Sequence, residues 1–212
     1  MGNDMCGGDR GETKKKTIPN KTELFKDIQV AMAKPNEAAW LIDTRAYIVA
    51  HTDRARKLAM DRVDAAAIQE FQNVIDRITV DLTTHAVSTK NKKELMQHKF
   101  RSIGNIAGQY DEQAKLKTAI KYYEEAYEIA VDPMFQSDVD TSNVQFLSIL
   151  SSKIAYSYYN LGQPIKSLEY FKAAEKYYTT LEQSNPSDLK EIGEKLDVCK
   201  KMQIDCVSYI GN

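Results

Sequence analysis

Apolar side chains recur at threes and fours along most of the chain, the spacing that gathers them on one side of an α-helix. The clearest stripe is Ile68, Phe71, Ile75, Ile78 and Leu82, which predicts an amphipathic helix from Val63 to about Ala86. Two helices are predicted ahead of it. One runs from about Thr22 to Lys34 and stops before Pro35; the other is capped by Asn36 and carries Trp40, Leu41, Tyr47, Ile48 and the basic stretch Arg54 to Lys57. Beyond the clear stripe, "STKNKK" at Ser88 to Lys93 reads as a basic turn, after which Leu95, Phe100, Ile103, Ile106 and Ala107 begin a fourth helix. A fifth spans about Leu116 to Val131 and stops at Asp132 and Pro133. A sixth, capped somewhere within Asp140 to Asn143, reaches Asn160, and "NLGQP" then turns the chain with Gly162 able to take a positive φ. A seventh helix ends near Leu181, and Ser187 or Asp188 caps the last, striped by Leu189, Ile192, Leu196, Cys199, Met202 and Cys206. About eight helices joined by short loops predict an all-α fold of antiparallel neighbours. The nearest rival to helix is "RITVDLTT", where Ile78, Val80 and Leu82 alternate, but these positions also continue the helical stripe.

Composition agrees with this pattern and narrows the function classes. The 212 residues are 42% hydrophobic, enough for a core, and contain only 5 Pro and 9 Gly. With 29 basic and 30 acidic side chains the formal net charge is -1, so no global field draws the chain onto nucleic acid or an anionic membrane. Cys6, Cys199 and Cys206 are odd in number and widely spaced with no signal peptide ahead of them, which predicts a reduced cytoplasmic setting. No apolar run approaches the roughly 20 residues needed to cross a bilayer. Residues 1–20, "MGNDMCGGDRGETKKKTIPN", lack helical periodicity and read as a flexible tail; residues 21–212 read as one helical domain.

Within that domain one pattern occurs twice. At an offset of 48, Ile106 falls on Ile154, Ala107 on Ala155, Tyr110 on Tyr158, Ala119 on Ser167, Ile120 on Leu168, Tyr123 on Phe171 and Ala126 on Ala174. Small residues let two helices approach closely, and the aromatic side chains fill the groove beside that contact. The spacing resembles the tetratricopeptide repeat, best in "KIAYSYYNLGQPIKSLEYFKAAEKYY" with "NLG" at its turn. The resemblance implies helical hairpins over residues 102–181, in a right-handed array or an irregular bundle, with a helical front part at 21–101 and a capping helix at 187–209. It also implies that Ala107, Tyr110, Ala119, Tyr123, Ala126, Ala155, Tyr158, Ser167, Phe171 and Ala174 pack the repeats. The period exceeds the usual length of about 34 by roughly 14 residues, which fall in "AVDPMFQSDVDTS" and a lengthened following helix. A third echo sets Ala55, Leu58, Ala67, Phe71 and Val74 on similar internal spacings. "AYEIA" followed by a long helix is also similar to the layout of 14-3-3 proteins, without the Arg, Arg and Tyr arrangement that would carry their phosphopeptide pocket.

Candidate chemistry is sparse. His51, His85 and His98 are isolated, no CxxC or HExxH occurs, and "GNIAG" at Gly104 to Gly108 lies inside a helix with no strand before it. Asp132, Asp138 and Asp140 lack the loop of an EF-hand. No nucleophile is paired with a base, so no enzymatic activity, cofactor or metal is expected. Surplus tyrosines are a different matter: Tyr122, Tyr159, Tyr170 and Tyr178 cannot all point inward, and exposed tyrosines suit recognition of a helix or extended peptide. Lys92, Lys93, Lys99 and Arg101, with Lys90, form a basic patch suited to an acidic partner. At the amino terminus "MGNDMC" resembles an N-myristoylation signal at Gly2, with Cys6 in the place of the preferred Ser or Thr and available for palmitoylation. One myristoyl chain gives only about 10⁴ M⁻¹ of membrane affinity, so a second chain or the lysines at 14–16 would be needed to hold the protein at an anionic surface. The sequence thus predicts a non-catalytic, cytoplasmic interaction scaffold, tethered at a membrane's cytoplasmic face if acylated, or else a structural subunit of a larger assembly.

Overall fold

A computed structural model describes residues 38–135, 141–184 and 189–211. The chain divides into two compact units, Met1–Ile42 and Asp43–Asn212. The described part of the first is residues 38–42, and the account below concerns the second. Seven α-helices follow one another among the described residues: α1 Ala39–Met60, α2 Asp64–Thr84, α3 Thr89–Glu112, α4 Leu116–Ala130, α5 Thr141–Asn160, α6 Pro164–Ser184 and α7 Leu189–Ile210. A single 3-10 turn, Pro133–Phe135, lies between α4 and α5. The fold is all-α and made of sequential antiparallel hairpins, with no strand among the described residues. The helix expected over Thr22 to Lys34, its Pro35 stop and the Asn36 cap lie outside those residues, as do Asp138, Asp140, Ser187 and Asp188.

One expectation is corrected. "STKNKK" is not a turn: Ser88 accepts a hydrogen bond from the backbone N–H of Asn91, and the helix begins at Thr89, so the lysines belong to the first turn of α3. Ile78, Val80 and Leu82 all lie in α2, as the threes-and-fours stripe predicted over their three-residue alternation.

Three hairpins, α1–α2, α3–α4 and α5–α6, close on the same backbone geometry. The N–H groups of Val63, Lys115 and Gln163 donate to the carbonyls of Leu58, Tyr110 and Tyr158 at 2.8, 2.9 and 3.0 Å. Those of Arg62, Ala114 and Gly162 donate to Ala59, Asp111 and Tyr159 at 3.1, 2.9 and 2.9 Å. This is the Schellman arrangement, and it requires a left-handed residue, supplied by Arg62 (φ 60), Ala114 (φ 57) and Gly162 (φ 68). The carbonyls of Val63, Lys115 and Gln163 then start the next helix by accepting from Ala67, Ala119 and Ser167. These three small residues are fully buried.

Packing repeats along with the turns. Ala55, Ala107 and Ala155 on the first helices are fully buried, as are Val74, Ala126 and Ala174 on the second, with Phe71, Tyr123 and Phe171 buried beside them. The helices come close enough for the Ser167 hydroxyl to donate to the carbonyl of Ala155 at 2.9 Å. The weak third echo in the sequence is therefore a third hairpin at the chain's front. Each helix from α2 onward packs on its successor, and α3 also touches α5. The extra length before α5 is anchored by Phe135, buried edge-on against Phe100 with ring centroids 5.4 Å apart. Polar clasps join the front hairpin: buried Asp81 accepts from Thr44 at 2.5 Å and Arg77 at 2.7 Å, and Arg45 pairs bidentately with Glu94 of α3 at 2.6 Å.

Candidate functional site

The first helix of each hairpin contributes to one continuous groove. One part, about 650 Å³, lies between Arg56, Ala59 and Met60 of α1, Gly104, Asn105, Gly108 and Gln109 of α3, and Phe146, Ile149 and Lys153 of α5. A second stretch of about 560 Å³ continues along α5 past Ser152, Tyr156 and Asn160 to Tyr178 and Lys195. A third of about 140 Å³ lies between α5, α6 and α7. Ile149 borders all three and is 44% exposed. Lys153 joins the first two, and Tyr178 and Lys195 the last two.

The groove's depth on α3 follows from "GNIAG". Gly104 and Gly108 are four apart and so share a helix face. At Gly104 an added Cβ would meet the Phe146 ring at 3.0 Å, so the glycine lets α5 approach α3. At Gly108 nothing lies nearer such a Cβ than the Tyr123 hydroxyl at 3.8 Å, so the missing side chain leaves space.

Charge along the rim is balanced. Arg56 pairs with Asp53 at 3.6 Å, Arg62 with Glu112 at 2.9 Å, Lys153 with Asp111 at 3.4 Å and Lys195 with Glu191 at 2.6 Å. Such exposed pairs exchange easily with other partners, because each is worth little in water. Inside, the polar groups are amides, phenols and the hydroxyls of residues such as Ser148, Ser152 and Ser157. Burial, reinforced by Asp111, holds the Tyr123 hydroxyl above its usual ionisation range, and burial does the same for Tyr156. The groove therefore favours neutral hydrogen bonding and apolar contact over capture of a strong charge.

The tyrosines singled out from the sequence are placed otherwise than expected. Tyr122, Tyr159 and Tyr170 are half-buried and none borders the groove, while Tyr178 is buried. Tyr122 stacks on Tyr110 at 5.5 Å. Tyr170 stacks on Tyr158 at 5.9 Å and meets Tyr127 edge-on at 5.6 Å. Its hydroxyl donates to Glu124 at 3.2 Å, and that of Tyr158 donates to the same oxygen at 2.6 Å. Tyr122 is thus covered within its own hairpin, whereas Tyr170 packs both within its hairpin and against Tyr127 of the preceding one. The basic patch disperses as well: Lys99 donates to Thr79 of α2 at 3.0 Å and Arg101 to Ser142 of α5 at 2.7 Å, while Lys92 is exposed and Lys93 half-buried. Gly2 and Cys6 lie outside the described residues.

Most groove residues, Gln109, Ile149 and Lys153 among them, were not singled out by the sequence; Tyr123 and Tyr178 were, as a repeat-packing and a surplus tyrosine. The signal for the former is the pairing of polar or small residues four apart on a first helix, as in Gly104 with Gly108 and Asn105 with Gln109. Buried Cys199 and Cys206 face away from any such role; burial raises the Cys199 thiol and leaves it unreactive. Among the described residues no group of three His, Cys, Asp or Glu could hold a metal, and no helix is long and apolar enough to cross a membrane. No protein-family model matches the chain, and no curated protein is significantly similar to it.

Proposed function

We propose that this protein is a non-catalytic interaction module whose tetratricopeptide-like hairpins hold a segment of a partner protein in the groove across α1, α3, α5 and α7. The observation that carries the reading is Ile149, an aliphatic side chain left 44% exposed at the point where three cavities join. An aliphatic residue at such a junction supplies the apolar centre of a recognition surface, with exchangeable ion pairs at its rim. Peptides selected from a phage-displayed library on the full chain provide the test: they bind wild type and lose binding on Ile149→Glu. Selection of no peptide, or binding indifferent to Ile149→Glu, rejects the groove.

Tethering is a separate element of the proposal and rests on Gly2 and Cys6 in the sequence. Acylation there would hold the module at the cytoplasmic face of a membrane. Intact mass after expression in a myristoylation-competent cell tests it, since an unmodified Gly2 removes the tether and leaves the groove reading untouched.

The second reading, a structural subunit of a larger assembly, is favoured by α7. Ile204 and Val207 are 67% and 58% exposed beside Lys200 and Gln203 on the outward side of the last helix. An assembly subunit would self-associate or join its neighbours through that face. Light scattering of wild type and Ile204→Lys distinguishes the two: a monomer in both cases disfavours self-assembly through α7.

A further inference from the structure

The outward side of α7 carries a heptad seam left uncovered among the described residues. Lys190, Gly193, Asp197, Lys200, Ile204 and Val207 follow one another at alternating threes and fours, which places them along one line of the helix. Ile204 and Val207 are 67% and 58% exposed, and an added Cβ at Gly193 would meet nothing within 4 Å. Asp197 and Lys200 are exposed, as are Glu194 and Lys201 beside the seam, and none of these four has an ion-pair partner among the described residues. The seam therefore offers apolar knobs, a hole and unpaired charges of both signs.

We propose that two copies of this protein pair antiparallel through α7, with Ile204 of each seated over Gly193 of the other and Asp197 of each paired with Lys200 of the other. This rests on the α7 assembly reading above and not on the groove. A two-fold axis between Val198 and Cys199, near the middle of α7, sets Gly193 against Ile204, Asp197 against Lys200 and Lys190 against Val207. The same placement brings Glu194 beside Lys201. Symmetry makes each match twice, so all four unpaired charges of each copy meet the opposite sign. The stem of Lys190 covers Val207 while its ammonium reaches water. Sliding the pair by one heptad sets Lys190 against Lys200 or Asp197 against Val207, and a parallel pair sets Asp197 on Asp197 and Lys200 on Lys200. Charge thus selects both direction and register. A depression of about 450 Å³ over Leu168 and Lys172 of α6 runs beside Ile204 and Val207 and leaves room for the second helix.

Sedimentation velocity of the full chain is expected to show a concentration-dependent dimer. Asp197→Lys and Lys200→Asp each set like charges together and are expected to weaken that dimer about tenfold, while the chain carrying both recovers it. Melting temperatures should not change, because both side chains are exposed. In a Cys6→Ser background, Gly193→Cys mixed with Ile204→Cys is expected to form an interchain disulfide under copper-catalysed air oxidation. Neither variant should cross-link alone, since identical positions lie about 16 Å apart along the helix axis in this pairing. Wild type that stays monomeric, or a dimer unaffected by Ile204→Lys, overturns the α7 assembly reading together with this pairing. A dimer lost on Ile204→Lys but not recovered by the double charge exchange, or Ile204→Cys cross-linking to itself, overturns the pairing alone.

Discussion

Ala114 and Gly162 occupy the same point in successive hairpins, with φ of 57° and 68° and matching hydrogen bonds back to Asp111 and Tyr159 at 2.9 Å. A left-handed backbone costs an alanine roughly 1–2 kcal/mol that glycine does not incur, partly offset by glycine's greater entropy in the unfolded chain. Ala114→Gly is therefore expected to stabilise the protein by about 0.5–1 kcal/mol. Gly162→Ala is expected to destabilise it by about 1 kcal/mol, since the nearest atom to the new Cβ is the Tyr209 hydroxyl at 4.0 Å and the cost is torsional alone. Urea midpoints measured at constant slope check both.

Glu124 gathers two phenols from the following hairpin, and Tyr158 also receives a hydrogen bond from Lys166 at 3.3 Å. Removing the carboxylate strands the nearly buried hydroxyl of Tyr158. Glu124→Ala is expected to cost about 2 kcal/mol and Glu124→Gln, which keeps an acceptor, under about 1 kcal/mol. Equal losses from the two substitutions would place the effect in packing rather than in the hydrogen bonds.

Alkali should attack the same region. Burial, with Glu124 beside them, raises the ionisation of Tyr158 and Tyr170 above the ordinary value of 10.0, and burial with Tyr127 does so for Tyr177. A group whose folded-state pKa is raised stabilises the fold fully below its unfolded pKa. Above pH 10 the unfolded chain ionises first, so stability falls as pH rises further. Tyrosinate absorbance of this group should then appear together with loss of the helical circular dichroism.

The hairpins were legible because their packing is local in sequence. Alanine three or four residues from an aromatic, with a turn signal between two stripes, fixes which faces meet, and Ala107, Ala119, Ala155 and Ala174 are all buried. The front hairpin was fainter because Val74 stands where the later hairpins have Ala126 and Ala174, and because its left-handed turn residue Arg62, like Ala114, carries no glycine signal. The cover over Tyr170 was not legible, since Tyr127 and Glu124 reach it from the preceding hairpin. The groove was hidden for the same reason: Met60, Gln109 and Ile149 come from three different hairpins, and no local spacing joins them.

Ala155 is fully buried where α5 and α6 approach, and its carbonyl accepts the Ser167 hydroxyl. Ala155→Leu must force those helices apart, with an expected loss of about 1–3 kcal/mol from overpacking. Ser167→Ala removes a hydrogen bond to a carbonyl already engaged in its own helix and a weak one accepted from the Cys206 thiol at 3.4 Å, and should cost about 0.5–1.5 kcal/mol. Thermal melts of both variants check the order.

Ile149 separates stability from recognition. Its side chain is substantially exposed on an otherwise well-packed helix, so Ile149→Glu keeps good helix propensity and exposes the new charge to water. Unfolding free energy is expected to change by no more than about 0.5 kcal/mol, as for an ordinary surface substitution. Groove peptides, by contrast, would have to desolvate the new carboxylate against Phe146 and Leu150, which line the same cavity, and their affinity should fall at least tenfold, that is by about 1.4 kcal/mol. Isothermal titration with the selected peptide, paired with a urea melt of the same sample, measures the two effects side by side. A variant that loses stability and affinity in equal measure would show that Ile149 supports the packing of α5 rather than the surface a partner meets.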